Sequence, residues 1–348
     1  MVQWIRDNPA VQTVLTLVAG VAGAALGGLI GLPLYQITGP AILVGALALT
    51  GLPLAIAVPV RDLAFLVVGI GVGAGMNAQA REAILKWPFA LLALVVMLVA
   101  IMFLCRWMLM RGFGFDRRAA VLASSPGHLS FVIAMSTALE ADVARITVIQ
   151  TIRVMAMTVA VPFALMLAGA DLDRPVAAPD AVMGWGALAA LVLATIAIAP
   201  LLRRLKVPAH FLLAGMGVSA VAHLLEWTPG AMHPGLALLG FVAIGTLIGT
   251  RFTGISLKLL GQMSVAGLCV TGVAMGMAVL FAVPVAAFLG MPVSHVVVAF
   301  APGGLDTMIA MGGVLAADAG FVAASHVGRL VVLPVLVPLM LGRGSKPG

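Results

Sequence analysis

Apolar residues run along this chain in long, nearly continuous stretches, and polar residues are confined to short gaps between them. Twelve stretches can be counted, near 11–32, 40–57, 62–78, 87–110, 118–140, 143–169, 181–201, 208–225, 235–251, 258–282, 285–317 and 319–342. Continuous apolarity at this length predicts membrane-crossing α-helices, and the lack of alternation excludes a β-barrel.

A second pattern lies over the first. Residues 125–153, SPGHLSFVIAMSTALEADVARITVIQTIR, align without a gap to residues 301–329, APGGLDTMIAMGGVLAADAGFVAASHVGR, at an offset of 176. The matches include Pro126/Pro302, Gly127/Gly303, Leu129/Leu305, Met135/Met311, Asp142/Asp318 and Arg153/Arg329. GIGVGAGM at 69–76 matches AIGTLIGT at 243–250, pairing Gly71 with Gly245 and Gly75 with Gly249 at an offset of 174. The expected fold is therefore an all-α polytopic membrane protein of two homologous six-segment repeats, 1–170 and 181–348, joined by an acidic linker at 171–180. Duplicated halves with helix breakers at matching places follow a secondary-transporter plan.

Composition sharpens this picture. Of 348 residues 63% are hydrophobic and only 9% charged, which no soluble domain matches. The net charge of +7 comes from basic residues spread over short connections, as the positive-inside rule expects, so it does not imply nucleic-acid binding. The N-terminus lacks a signal-peptide cleavage pattern, so the first apolar run is expected to be a retained helix. Cys105 and Cys269 sit in apolar segments without metal or redox spacing.

Charge also constrains topology. The basic stretches at 106–118 (Arg106, Arg111, Arg117, Arg118), 201–208 and 251–258, with the C-terminal tail, should be cytoplasmic. The acidic linker and the 224–235 loop should be outside. If every segment spans, the 106–118 stretch and the linker fall on one side. The conflict disappears if the fifth and eleventh segments, which carry the Pro-Gly motif, do not cross. Each half then has five crossings and one re-entrant hairpin, the second half is inverted, and both termini are cytoplasmic. A crossing helix that unwinds at its centre is the alternative geometry.

Proline lacks an N–H and the following glycine permits backbone angles closed to helices, so SPGH and APGGLD should interrupt their helices. Free N–H groups where the second half-helix starts form a positive dipole end suited to an anion such as a carboxylate. Arg153 and Arg329 lie roughly ten residues into their segments, near the bilayer centre, where a charge faces the bundle interior. Each would either bind a substrate anion or cap carbonyls freed by the break. The candidate substrate-binding residues are Ser125, Gly127, His128, Ser130 and Arg153 in the first copy. Gly303, Gly304, Asp306, Thr307, His326 and Arg329 are the candidates in the second. Gln150 and His326 are repeat-equivalent and one turn before the arginines, on the same face. Asp306 would pair with an arginine, bind Na⁺ or carry a proton. His128 and His326 would either titrate near neutral pH or make a structural hydrogen bond. Asp142 and Asp318 should cap the helices that follow them. Asn77 and Arg251 read as interface markers. The spacings Gly23/Gly27/Gly31, Gly71/Gly75 and Gly245/Gly249 suit close helix packing. No catalytic motif is found and the six histidines are dispersed, so an enzyme, a resident cofactor or a metal is not expected.

The Pro-Gly units P-G-H-L-S at 126–130 and A-P-G-G-L-D at 301–306, with GLPLYQITGPAILVGAL at 31–47, resemble the AbrB family of Gram-negative integral membrane proteins, which carries an internal AbrB duplication. Members are often labelled regulators of gene expression or ammonia monooxygenases, and the residues here give the monooxygenase label no support. The family is distinct from the small soluble DNA-binding proteins of the same name. The resemblance implies a multi-pass protein of the bacterial inner (cytoplasmic) membrane.

The first expectation is a secondary transporter of a small anionic organic solute, coupled to H⁺ or Na⁺, with its site at the paired breaks near the bilayer midplane. The second is a membrane-embedded regulator or sensor acting indirectly on gene expression, without direct nucleic-acid contact. The expected partners are the lipid bilayer, the small-molecule substrate and, since a moving bundle needs a fixed scaffold, a second copy in a homodimer.

Overall fold

A computed structural model describes residues 6–75, 87–126, 129–167, 182–315 and 317–342. The acidic linker and Asn77 lie outside the described residues. Fourteen helices are present among them. The first seven are α1 (Pro9–Leu29), α2 (Tyr35–Leu49), α3 (Val58–Gly73), α4 (Trp87–Gly112), α5 (Arg117–Ser124), α6 (Leu129–Ala138) and α7 (Val143–Leu167). The others are α8 (Trp185–Arg204), α9 (His210–Leu224), α10 (Pro234–Thr250), α11 (Leu257–Leu289), α12 (Val293–Phe300), α13 (Leu305–Val314) and α14 (Ala319–Leu341). The six helices α1, α4, α7, α8, α11 and α14 are long and apolar enough to cross a membrane, making this an all-α, multi-pass membrane protein.

Two sequence expectations about boundaries are corrected. The tenth segment was expected to end near 282, but α11 continues through Pro284 to Leu289. Gly290, at φ +69, is the true stop, because a left-handed residue ends a helix while an internal proline need not. The Arg-rich stretch at 106–118 is not a loop. Arg106 and Arg111 belong to α4, and only residues 113–116 connect it to α5.

The chain divides into two compact units, and each draws on both halves of the sequence. The first comprises Met1–Ile84, Pro162–Gly254 and Leu305–Ala323. Its helices pack in the order α1, α2, α10, α3, α9 and α8, with α13 on α3 and α10. Glycine makes these contacts close. An added Cβ at Gly23 would sit 2.7 Å from the Gly39 carbonyl oxygen, and one at Gly39 would strike the Gly23 carbonyl. Gly245 faces the Ile37 backbone and Gly249 faces Val44 with equally little room, while Gly31 instead forms a left-handed turn with open space around it. Side chains on α1 fasten the extended stretch before α3. Gln12 donates to Pro53 at 2.6 Å, and Thr16 and Thr13 accept from the Ala55 and Ala57 amides at 3.1 and 3.0 Å.

The second unit comprises Leu85–Val161, Ile255–Gly304 and Ala324–Gly348. Here α11 packs on α4 and α12, and α5 packs on α4 and α6. Leu94, Met97, Leu98 and Ile101 on α4 are fully buried. Gly267 on α11 admits Ile152 of α7 so closely that a Cβ would lie 2.8 Å from it. Helix ends are tied by charge: Asp116 caps α5 through the Arg118 and Ala119 amides, and Arg117 and Arg118 donate to the carbonyls of Met340 and Leu139, each at 3.2 Å.

Candidate functional site

Helix α5 ends at Ser124 and α6 begins at Leu129; α12 ends at Phe300 and α13 begins at Leu305. Pro126 and Pro302 follow the two helix ends. Where α5 and α12 stop, the last carbonyls lose the continuing row of helical N–H groups, and inside apolar surroundings such groups need other partners.

Side chains from α7 and α14 supply them, in the second compact unit. Arg153 Nη1 donates to the Ser125 carbonyl at 3.0 Å. Gln150 Nε2 donates to the Ser125 carbonyl at 2.9 Å and to that of Leu122 at 3.0 Å. In the second copy Arg329 Nη2 donates to the Ala301 carbonyl at 3.2 Å, and His326 Nε2 lies 3.2 Å from the Val298 carbonyl. With the offset of 176, Ser125 corresponds to Ala301, Leu122 to Val298, Gln150 to His326 and Arg153 to Arg329. Two contacts within residues 122–153 thus have counterparts at the same offset within residues 298–329.

These side chains are almost wholly out of solvent: Arg153 and Arg329 are each 2% exposed. Both arginines belong to the second unit. Among the described residues Arg329 has no carboxylate partner, and its Nε meets no acceptor. Ser125 Oγ, Gln150 Oε1 and Ser325 Oγ are likewise buried without a hydrogen-bond partner. The capping role of the arginines is thus visible in the geometry, and polar capacity remains beside it.

The other candidates are placed as follows. Gly127 and His128 lie outside the described residues, and only the backbone of Ser130 is described, within α6. Gly303 donates its amide to the Ala301 carbonyl at 2.9 Å, and Gly304 is the last residue before α13. Asp306 and Thr307 belong to the first unit. Asp306, 8% exposed, lies 4.0 Å from Arg251, which follows α10, while Thr307 Oγ1 is buried without a partner. The arginine that meets Asp306 is therefore the one the sequence marked as an interface residue. Asp142 and Asp318 cap α7 and α14 by accepting the amides of Arg145 and Phe321, both at 3.0 Å. Burial raises the Asp318 carboxyl above its ordinary range, against the pull of its amide donors.

Sequence reasoning gave Gln150 and Arg251 too little weight. Gln150 could have been promoted by its equivalence to His326. The partner of Arg251 had no sequence signal. Among the described residues no three His, Cys, Asp or Glu side chains cluster as a metal site.

Known proteins bear on this architecture. The chain is 24% identical over 297 residues to "Uncharacterized protein YhjN" of Bacillus subtilis (strain 168), covering 78% of this chain and 75% of that one. It is 28% identical over 167 residues to "Putative regulator AbrB" of Escherichia coli (strain K12), covering 47% of this chain and 45% of that one. The Bacillus relative extends the similarity beyond Gram-negative bacteria. The family described as "Transition state regulatory protein AbrB" matches residues 37–343, nearly the whole length over which the helices are laid out. The chain belongs to the AbrB family.

Proposed function

We propose that this protein is a secondary transporter of a small anionic organic solute, held at the two chain breaks of the second unit. The observation that carries this reading is the pair of buried arginines. Two like charges buried this far from water in one unit are costly, and among the described residues Arg329 has no carboxylate to offset it. An anion is the partner Arg329 lacks among the described residues, and the orphaned Ser125 hydroxyl and Arg329 Nε would donate to it.

The wider architecture supports a duplicated, inverted plan. Among the described residues seven helices in each half follow in the same order, and α2 and α9 each have 15 residues, α5 and α12 eight, and α6 and α13 ten. Leu34 and Ala209, which precede α2 and α9, are both left-handed without being glycine. The packing is reciprocal too, α3 on α9 and α10 on α2. Helices of eight and ten residues reach only part-way through a core about 30 Å thick, which suits re-entrant or broken segments. In this reading the protein sits in the bacterial inner membrane with both termini cytoplasmic, and H⁺ or Na⁺ drives transport.

The test is thermal unfolding of the detergent-purified chain against small carboxylates, amino acids, phosphates and neutral solutes, with and without Na⁺. A ligand that binds only the folded state raises Tm by mass action. The variant of choice is Ser125→Ala, because it removes an unpartnered hydroxyl and leaves the capped carbonyl in place. A carboxylate that raises Tm, is accumulated by proteoliposomes and loses affinity in Ser125→Ala supports the proposal. Stabilisation by neutral solutes alone, or by nothing, overturns it.

A second reading is favoured by the printed name of the Escherichia coli relative and by the family description: a membrane-embedded regulator that acts on gene expression indirectly. It expects a soluble partner that binds the connections between helices and no solute flux.

A further inference from the structure

We infer that the groove between α8 and α9 in the first unit is a binding site for an anionic phospholipid, with an acyl chain along the groove and the headgroup at Arg203, Arg204 and Lys206. The inference is independent of transport and needs only a membrane-embedded chain.

The groove holds about 940 Å³ and runs along α8 from Ala187 to Leu202. At roughly 1.5 Å per residue that is about 22 Å, the reach of an extended acyl chain rather than of a compact solute. Its volume is near the top of the roughly 300–1,000 Å³ usual for small-molecule sites. Apart from Thr228 and the Trp227 indole, its lining is hydrocarbon. Small residues such as Ala190, Ala194, Ala214 and Gly217 keep it open. Its floor is firm, because Leu191 and Ala222 are buried members of a core cluster with Leu66 and Ile70.

Charge identifies the occupant. Arg203 and Arg204 end α8 next to the groove residue Leu202, and Lys206 follows two residues later. All three are exposed, and among the described residues none is paired with a carboxylate. No acid occurs between residues 181 and 225. An apolar channel that opens beside three exposed cations matches a lipid with a hydrocarbon tail and a phosphate. A second copy of the chain fits worse. A two-fold axis along the membrane normal would set groove against groove and bring both sets of cations together.

The test uses the full chain, purified and delipidated in detergent, with thermal unfolding followed as dioleoyl-phosphatidylglycerol or dioleoyl-phosphatidylcholine is added. A Cβ at Gly217 would meet nothing within 4 Å, so Gly217→Phe fills the groove without a backbone clash. Gly272→Phe on α11, equally unobstructed and outside the groove, is its control. Arg203→Gln, Arg204→Gln and Lys206→Gln combined remove the charge at exposed positions. The expected result is a rise in Tm with phosphatidylglycerol but not phosphatidylcholine. The rise should disappear in Gly217→Phe and in the charge variant and survive in Gly272→Phe. Equal stabilisation by both lipids would mean a general lipid shell and overturn the inference. So would a phosphatidylglycerol effect that survives Gly217→Phe, or a dimer that Gly217→Phe splits with no change in lipid response.

Discussion

Arg329 reaches back from α14 and donates through Nη2 at 3.2 Å to the carbonyl of Ala301, the cap residue just past the end of α12. Arg329→Ala removes one of two donors to that buried carbonyl, which keeps the Gly303 amide at 2.9 Å, so the loss should be that of one hydrogen bond, about 0.5–1.5 kcal/mol. Unfolding of the purified variant should show a loss of that order. Arg329→Lys should recover only part of it, because one ammonium lacks the guanidinium fork. Ser125→Ala, which removes a hydroxyl without a partner, should change stability by less than Arg329→Ala does. Equal losses in the two would contradict the capping role.

Gly39→Ala should destabilise by about 1–3 kcal/mol through overpacking, since its Cβ would run into the Gly23 carbonyl with no flexible atom to yield. Gly217→Ala, with open space around it, should shift the melting temperature far less. Similar shifts in the two variants would show that α1 and α2 can separate at little cost.

Arg251 and Asp306 form an asymmetric pair, with side chains 28% and 11% exposed. Removing the arginine leaves a carboxylate buried and alone, whereas removing the acid leaves an arginine that still reaches water. Arg251→Gln should therefore cost more than Asp306→Asn. A double-mutant cycle should give a coupling of about 1 kcal/mol, modest because the contact is long. A coupling near zero would leave Asp306 without an electrostatic partner in the first unit.

Asp318 carries a pH dependence with a definite sign. Burial raises its folded carboxyl above the ordinary value of 3.8, so the folded state holds the proton more tightly than the unfolded chain does. Its contribution is fully present below the unfolded value and is lost as pH rises through the folded one. Asp318→Asn keeps a capping side chain and should flatten the stability profile in that window, whereas Asp318→Ala should lose the cap at every pH. An unchanged profile in the asparagine variant would remove Asp318 as its source.

Much of this arrangement is written locally in the sequence. Pro126 and Pro302 mark where helices stop, because a missing N–H is a property of one residue. Asp142 and Asp318 announce the helices they cap for the same reason. The end of α11 is less legible, since Pro284 and Gly290 compete as stops and only packing lets the helix run past the proline. Asp306 shows the limit more sharply. Its charge predicts an arginine partner, but choosing Arg251 over Arg329 takes the course of α10 and α13 in space. Gln150 lies between these cases, being legible only through the comparison of one half with the other.

The interleaving of the two halves has a consequence for biogenesis. As the chain leaves the ribosome, α2 and α3 enter the bilayer long before α10 and α9, against which they pack, have been made. The first unit closes only when residues 305–323 arrive, so its early helices wait in lipid with their glycine faces unfilled. Contacts of such long sequence separation form late and slowly. A nascent chain halted after residue 170 has membrane-length helices but none of the cross-half packing, which leaves it a substrate for quality-control proteolysis rather than a folded half-protein.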